Sequence, residues 1–312
     1  QGGLFNKKIK IIFEDSKAEP KLGVSAANKL INVDKVQVII GAVASSVTLA
    51  IAPLAEKNEI ILISPASSSP KITDAGDFIF RNYPSDVLEG ELVANFAIKK
   101  NYEIASILTI NNEYGIGLNR VFEENYKKNG GKILSNDSYS EGIKDYRTIL
   151  LKIKSLNPKC VFIVGYGREM GTAIKQAREL GIKSQFLSTV NFYDKESINS
   201  GGDAVNGVIF SSPVFDPNSQ KENISLFVKQ FSSEFGIEPD VWSAHGYDAL
   251  LLIVEAIKNS SINSIDIKNE LYKIKDFPGV SGKTTFDSNG DVIKDARFLV
   301  VQNGEFIPYK EN

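Results

Sequence analysis

Two hydroxyl-rich turns are the residues best placed to do chemistry. Gly41-Ala42-Val43-Ala44-Ser45-Ser46-Val47-Thr48 follows an apolar run at 36–40 and opens an apolar helical pattern. One unit later, the run at 60–63 leads into Ser64-Pro65-Ala66-Ser67-Ser68-Ser69-Pro70. Ser45 or Ser46 is a natural N-cap, with orphan backbone N–H groups beside it. If the two runs are adjacent parallel strands, both turns meet at their carboxyl ends, where open α/β sheets bind ligands. Hydroxyls and helix N-terminal amides, without Lys or Arg, suit a small carboxylate held by dipoles. Each charge-assisted bond contributes about 1.5–3 kcal/mol, and three or four support a micromolar affinity of about −8 kcal/mol after the costs of association. The plainer alternative is that these serines only cap helices.

Other motifs fail on their surroundings. Gly279-Val280-Ser281-Gly282-Lys283-Thr284 ends like a phosphate-binding loop, but its first glycine falls on Phe277 and no helical pattern follows. A hairpin entry fits it better. Gly165-Tyr166-Gly167 with Gly171 resembles a dinucleotide fingerprint, yet its third glycine is displaced and no acid ends the next strand. The exposed Tyr166 still suits some ligand at a strand's carboxyl end. Asp287, Asn289 and Asp291 have calcium-loop spacing, but Val292 and Phe298 occupy the required glycine and glutamate positions. A tight turn is expected there. His245, the only histidine, sits in a helical stretch, and no GxSxG or Cys/His pairing accompanies it. No catalytic residue, metal ligand or cofactor is expected, and an enzyme is not supported.

Bulk properties narrow the class. The 36 basic and 38 acidic residues nearly cancel, and neither sign forms a block, which argues against a nucleic-acid or acidic-membrane surface. The lone Cys160 lies in an apolar run and makes no disulfide or metal cluster. No stretch approaches the ~18 continuous apolar residues of a membrane span. Gln1-Gly2-Gly3 reads as the middle of something longer, from which targeting information has been removed.

These turns must be positioned by a repeating scaffold. Apolar runs at 9–13, 36–40, 60–63, 104–110, 132–134, 161–164, 185–187 and 207–210 read as strands. Helical patterns at 21–32, 46–58, 87–100, 115–129, 146–155, 170–180, 223–235 and 241–259 fill the gaps. Ile/Val-rich strands each followed by a helix mark right-handed βαβ units and parallel sheets. Gly130-Gly131 and Gly181 are helix stops. Near the end, 284–291, 297–302 and 305–309 read as β structure around Asn-Gly turns.

An ordered set of landmarks now carries a resemblance over essentially the whole chain. They include Phe13-Glu14-Asp15-Ser16, Ile40-Gly41 through Thr48, Ile63-Ser64-Pro65-Ala66, Phe80-Arg81-Asn82-Tyr83-Pro84-Ser85-Asp86 and Glu113-Tyr114-Gly115-Ile116-Gly117. Gly165-Tyr166 with Glu169-Met170-Gly171, Gln176 through Gly181, Tyr247-Asp248-Ala249 and Phe286 through Gly290 complete it. The chain resembles the type I periplasmic binding proteins, particularly the leucine/isoleucine/valine-binding branch serving ABC transporters. The resemblance implies an α/β fold of two doubly wound parallel-sheet lobes joined by a three-segment hinge. Lobe one, the carboxylate-anchoring lobe, would hold residues 1–84 plus 214–295, and lobe two 85–213 plus 296–312. It implies a carboxylate clamp at Ser45 and Ser68 with backbone from Val43 and Ala66, facing aromatics Tyr114 and Tyr166, and a cover at Trp242. Ser46 and Asn191 complete the expected ligand-binding set. The implied function is a periplasmic or lipid-anchored, monomeric solute-binding protein for amino acid transport, whose partners are a small-molecule ligand and a permease. The same fold also serves as the ligand-sensing domain of receptors and regulators.

Two departures stand out. Amino-acid binders place a carboxylate after the strand at 185–187 to pair the ligand's ammonium, and Val190 stands there, with Asn191 next. A buried ammonium without a counter-charge is costly. Glu113, Asp194 or Asn191 would have to compensate, or the ligand lacks the amine. The family also begins with a strand and helix that precede the Gly2-Gly3 position, so the first strand-helix unit of lobe one is expected to lie outside this chain. That strand would sit between 9–13 and 36–40, which implies a fragment of a longer precursor or a unit supplied otherwise.

Overall fold

A computed structural model describes residues 3–4 and 8–310. In chain order its elements are α1 (Pro20–Asn32), β1 (Val38–Ile40), α2 (Ser45–Lys57), β2 (Ile61–Ser64), β3 (Ile79–Arg81), α3 (Asp86–Lys99), β4 (Ile104–Ile110) and α4 (Glu113–Lys128). Next come β5 (Lys132–Tyr139), α5 (Arg147–Leu156), β6 (Cys160–Val164), α6 (Gly167–Glu179), β7 (Gln185–Ser188), α7 (Lys195–Gly201) and β8 (Ile209–Pro213). The chain finishes with α8 (Glu222–Phe235), α9 (Val241–Asn259), α10 (Ser264–Leu271), β9 (Phe277–Gly279), β10 (Gly282–Thr284), β11 (Ala296–Gln302) and β12 (Glu305–Pro308). Two compact units result. Unit one takes the chain up to Ser85 together with Val214–Asp295; unit two takes Asp86–Pro213 and the chain from Ala296 onward.

In unit one, β1, β2 and β3 form a parallel sheet in that order, with Ile40 opposite Ile63 and Ser64 opposite Arg81. β2 is buried along its whole length, as expected of a strand covered on both faces. One side packs Ile61, Ile63 and Phe80 against Leu252, Ile253 and Leu271 of α9 and α10. The other packs Leu62 and Ile79 against Ala27, Ile31, Val47 and Ile51 of α1 and α2. The β9–β10 hairpin is locked to α9 by Asp248, which accepts from the Val280 and Ser281 amides at 2.8 and 2.7 Å. The buried Lys294 adds bonds to Ser281 Oγ at 3.0 Å and Thr284 Oγ1 at 2.7 Å.

Unit two is a seven-stranded sheet ordered β12-β11-β8-β7-β6-β4-β5. β5, β4, β6, β7 and β8 run parallel, and β11 adds antiparallel to β8 and β12. Its core runs through Ile107, Phe122, Phe162, Phe186 and Phe210. The expected α/β fold of doubly wound sheets is present, and the Asn303-Gly304 turn joins β11 to β12 as read from the sequence.

Two local expectations need correction, and one strand was not foreseen. Residues 9–13 form no strand; Ile9, Ile11 and Phe13 are exposed, Phe13 by 86%, because no neighbouring strand pairs with them among the described residues. β3 is a strand the sequence reading passed over: it is only three residues long and ends on the buried Arg81, so it shows no alternation. β5 runs on past 134 to Tyr139, its polar residues lying along the sheet's edge beside β4.

Candidate functional site

Unit one builds its candidate site from the carboxyl ends of β1 and β2. The two turns lie side by side and are stitched together. Ser64 Oγ donates to the Ala42 carbonyl at 2.7 Å, and Ser67 Oγ reaches the Ala42 and Val43 carbonyls at 2.9 and 3.0 Å. Thr48 Oγ1 bonds Ser67 Oγ at 2.8 Å and accepts from the Ala42 amide at 3.1 Å. The N-cap of α2 is Ala44, with no side-chain cap, so neither Ser45 nor Ser46 plays that part. Ser45 opens the first turn and its Oγ points across, accepting the amides of Ser68 and Ser69, both at 3.2 Å.

Most amides of the second turn are therefore engaged within the protein. Those of Ala66 and Ser67 go to Ser64 Oγ at 3.3 and 2.8 Å. The groups left for an anion are different ones. Among the described residues, the Ser45 and Ser46 amides at the α2 N-terminus, the Ser68 hydroxyl and the buried Ser69 hydroxyl have no hydrogen-bond partner. Ser45 and Ser68 are nearly buried, whereas Val43 is exposed. Arg81, fully buried, braces this seat from behind by donating to the Ser69 carbonyl at 2.9 Å. Trp242, near the start of α9, stacks on Tyr83 with ring centroids 5.0 Å apart. The helix is fixed there by Asp240, whose carboxylate accepts from the Ser243 amide at 2.7 Å.

Unit two gathers Tyr114, Tyr166 and Asn191 at the carboxyl ends of its central strands. Tyr114 and Tyr166 lie nearly parallel, their ring centroids 6.2 Å apart. Asn112 caps α4 by accepting from the Gly115 amide at 3.0 Å, and its Nδ2 donates to the Tyr166 hydroxyl at 3.2 Å. Tyr114 shares a 2.8 Å hydroxyl bond with Thr189. Gly115 is required: a Cβ there would sit 2.0 Å from the Ile110 carbonyl oxygen. Burial raises the pKa of both tyrosines, so they act as neutral donors and acceptors. Asn191 lies in a short 3-10 turn, Val190–Phe192. Asp194 is committed to capping α7, accepting from the Glu196 amide at 2.9 Å, and Glu113 lies in the first turn of α4.

Sequence reading missed one residue here. Glu89, in the first turn of α3, sends its carboxylate to the strand ends. Its Oε1 accepts from Ser211 Oγ at 2.6 Å and from the Val190 amide at 3.1 Å. Burial pushes its pKa up to about 7, against those two bonds.

The motifs set aside behave as structural parts. Residues 277–284 form the β9–β10 hairpin. Asp287 closes a turn by accepting from the Asn289 and Asp291 amides at 2.8 and 3.0 Å. His245 is buried, with Nδ1 at 2.7 Å from the Val241 carbonyl. Among the described residues no helix is long and apolar enough to cross a membrane.

The profile of the periplasmic binding protein family matches residues 1–305. The chain belongs to this family. It is 30% identical over 294 residues to Leu/Ile/Val-binding protein homolog 1 of Brucella abortus (strain 2308), covering 93% of this chain and 78% of that one. A leucine binding protein from Thermotoga maritima superposes with a TM-score of 0.94 at 30% identity, over 99% of this chain and 89% of that one. The branched-chain amino acid transporter substrate binding protein of Streptococcus pneumoniae, solved with isoleucine, gives 0.89 at 28% identity, over 98% and 87% of the two chains. These similarities fall on the branched-chain amino acid branch of the family.

Proposed function

We propose that this chain is the extracytoplasmic solute-binding protein of an ABC transporter, acting as a monomer that captures a small amino acid of the leucine, isoleucine and valine class. One observation carries this reading. Two serine turns, joined at the carboxyl ends of adjacent parallel strands, leave the Ser68 hydroxyl and two helix N-terminal amides for a carboxylate, while the cation behind them, Arg81, is already paired with Asp291. The relatives named for leucine and isoleucine support the ligand class.

In this reading the Ser45 and Ser46 amides and the Ser68 hydroxyl anchor the carboxylate, while the expected backbone contribution of Ala66 is withdrawn because its amide is held by Ser64 Oγ, and the Val43 carbonyl is held by Ser67 Oγ. Tyr114, Tyr166 and Trp242 supply rigid apolar area with polar tips, and Asn191 adds a hydrogen-bonding group. Ligand favours a closed state by its differential affinity, and that state is the one a permease engages. Titration calorimetry with leucine, isoleucine and valine tests it. Micromolar or tighter binding that is lost in the Ser45→Ala, Ser68→Ala double variant is expected; unchanged affinity in that variant overturns the clamp.

A further inference from the structure

An α-amino acid carries an ammonium as well as a carboxylate, and the position where a pairing acid is expected holds Val190. The main-chain amide of that same Val190 is bonded to a carboxylate delivered from another element, the Glu89 side chain of α3. Both hydrogen bonds to Glu89 among the described residues, from Val190 and from Ser211, fall on Oε1 and none falls on Oε2. No lysine or arginine is among the influences on this carboxyl; burial dominates, opposed only by the two hydrogen bonds. A half-buried carboxylate without a cation is costly to keep charged, and such groups cluster where function requires them.

The surroundings are those of the aromatic face. The Tyr114 hydroxyl, bonded to Thr189 next to Val190, is raised in pKa first by burial and then by the negative fields of Glu89 and Asp86. The groups around Glu89 are thus Asp86 on its own helix, Tyr114 on α4, Thr189 and Val190 after β7, and Ser211 on β8. None of these is a cation.

We propose that Glu89 is the counter-charge for the ligand's ammonium, its Oε2 accepting the N–H that an acid at position 190 would otherwise take. The assignment rests on the amino-acid reading above and makes Glu89 the residue that separates amino acids from amine-free acids of the same shape. A carboxyl that titrates near neutrality also gives the step a proton balance. Where Glu89 is protonated before binding, the arriving ammonium displaces that proton to solvent.

The test compares leucine with 4-methylpentanoate, which has the same side chain and carboxylate but no amine, by calorimetry on wild type and Glu89→Gln. Wild type is expected to prefer leucine. Glu89→Gln is expected to lose at least about tenfold in leucine affinity, the worth of one charge-assisted bond, while its affinity for 4-methylpentanoate moves less than about threefold. Titrations at pH 7 in two buffers of different ionisation enthalpy should show proton release with leucine on the wild type. This arm stands even if the variant fails to fold. Leucine binding within threefold of wild type in folded Glu89→Gln, or no proton release from wild type, overturns the assignment. If wild type binds both ligands equally and the serine variants abolish both, the Glu89 assignment alone falls. If wild type binds neither, the amino-acid reading falls with it.

Discussion

Arg81 and Asp291, 210 positions apart in the chain, are joined by two parallel hydrogen bonds of 2.6 Å, Nε to Oδ1 and Nη2 to Oδ2. The remaining guanidinium donors reach the Ser69 carbonyl and Thr73 Oγ1, so this buried fork holds the serine turn as well as its partner. Breaking one side leaves an unpaired buried charge. Arg81→Met should therefore lower stability by about 3–5 kcal/mol. Arg81→Lys should lose much of the same amount, because an ammonium cannot reproduce the planar fork. Urea unfolding of the three proteins measures both.

The two clamp serines should separate in their effects. Ser45→Ala removes the acceptor of two turn amides and should cost about 1–3 kcal/mol of stability along with ligand affinity. Ser68→Ala removes a hydroxyl with no protein partner and should change stability by less than about 0.5 kcal/mol. Its affinity for a branched-chain amino acid should still fall about tenfold. Thermal unfolding and calorimetry on the two single variants report the two quantities.

His245 makes the fold sensitive to acid. Burial, and next the charge of Lys294, lower its pKa to about 3, against the opposing bond to the Val241 carbonyl. The unfolded chain, with an ordinary pKa near 6.5, takes up the proton first. Stability from this residue is thus complete above about pH 6.5 and is lost as pH falls toward 3, at about 1.4 kcal/mol per unit. His245→Phe, which keeps a ring against Tyr83, should flatten the slope between pH 6.5 and 4.5 in urea titrations.

Glu89 has the opposite sign. Its folded pKa, about 7, lies above the ordinary carboxylate value, so the folded state binds the proton more tightly. Its contribution is present below about pH 4.5 and is lost as pH rises through 7. Glu89→Gln keeps a hydrogen-bonding group without the charge and should raise the melting temperature at pH 8 more than at pH 5. A variant that gains stability while losing ligand marks a site held at a thermodynamic loss for function.

Much of this architecture was legible in residue order. The helix at 241–259 and the strand at 104–110 stand at the expected residues because their apolar periodicity is long enough to be unambiguous. Residues 9–13 show the limit of that signal: alternation states what a segment is able to pair with, not whether a partner is there. The serine turns were visible as composition, but the direction of the Ser45 hydroxyl was not, since a shift of one position turns a cap into a cross-link between turns. Glu89 was invisible for a plainer reason. An acid in the first turn is what any helix favours, and only the contact with Ser211, 122 positions away, distinguishes it.

The three passages of the chain between units, at Ser85, Pro213 and Asp295, bear on how the molecule is made. Strand β8 emerges from the ribosome long before β11, the neighbour that covers its outer side, and β3 long before Asp291, the anion that neutralises Arg81. Neither half can finish folding before residues 291–302 have been made, because Arg81 waits for Asp291 and β8 waits for β11.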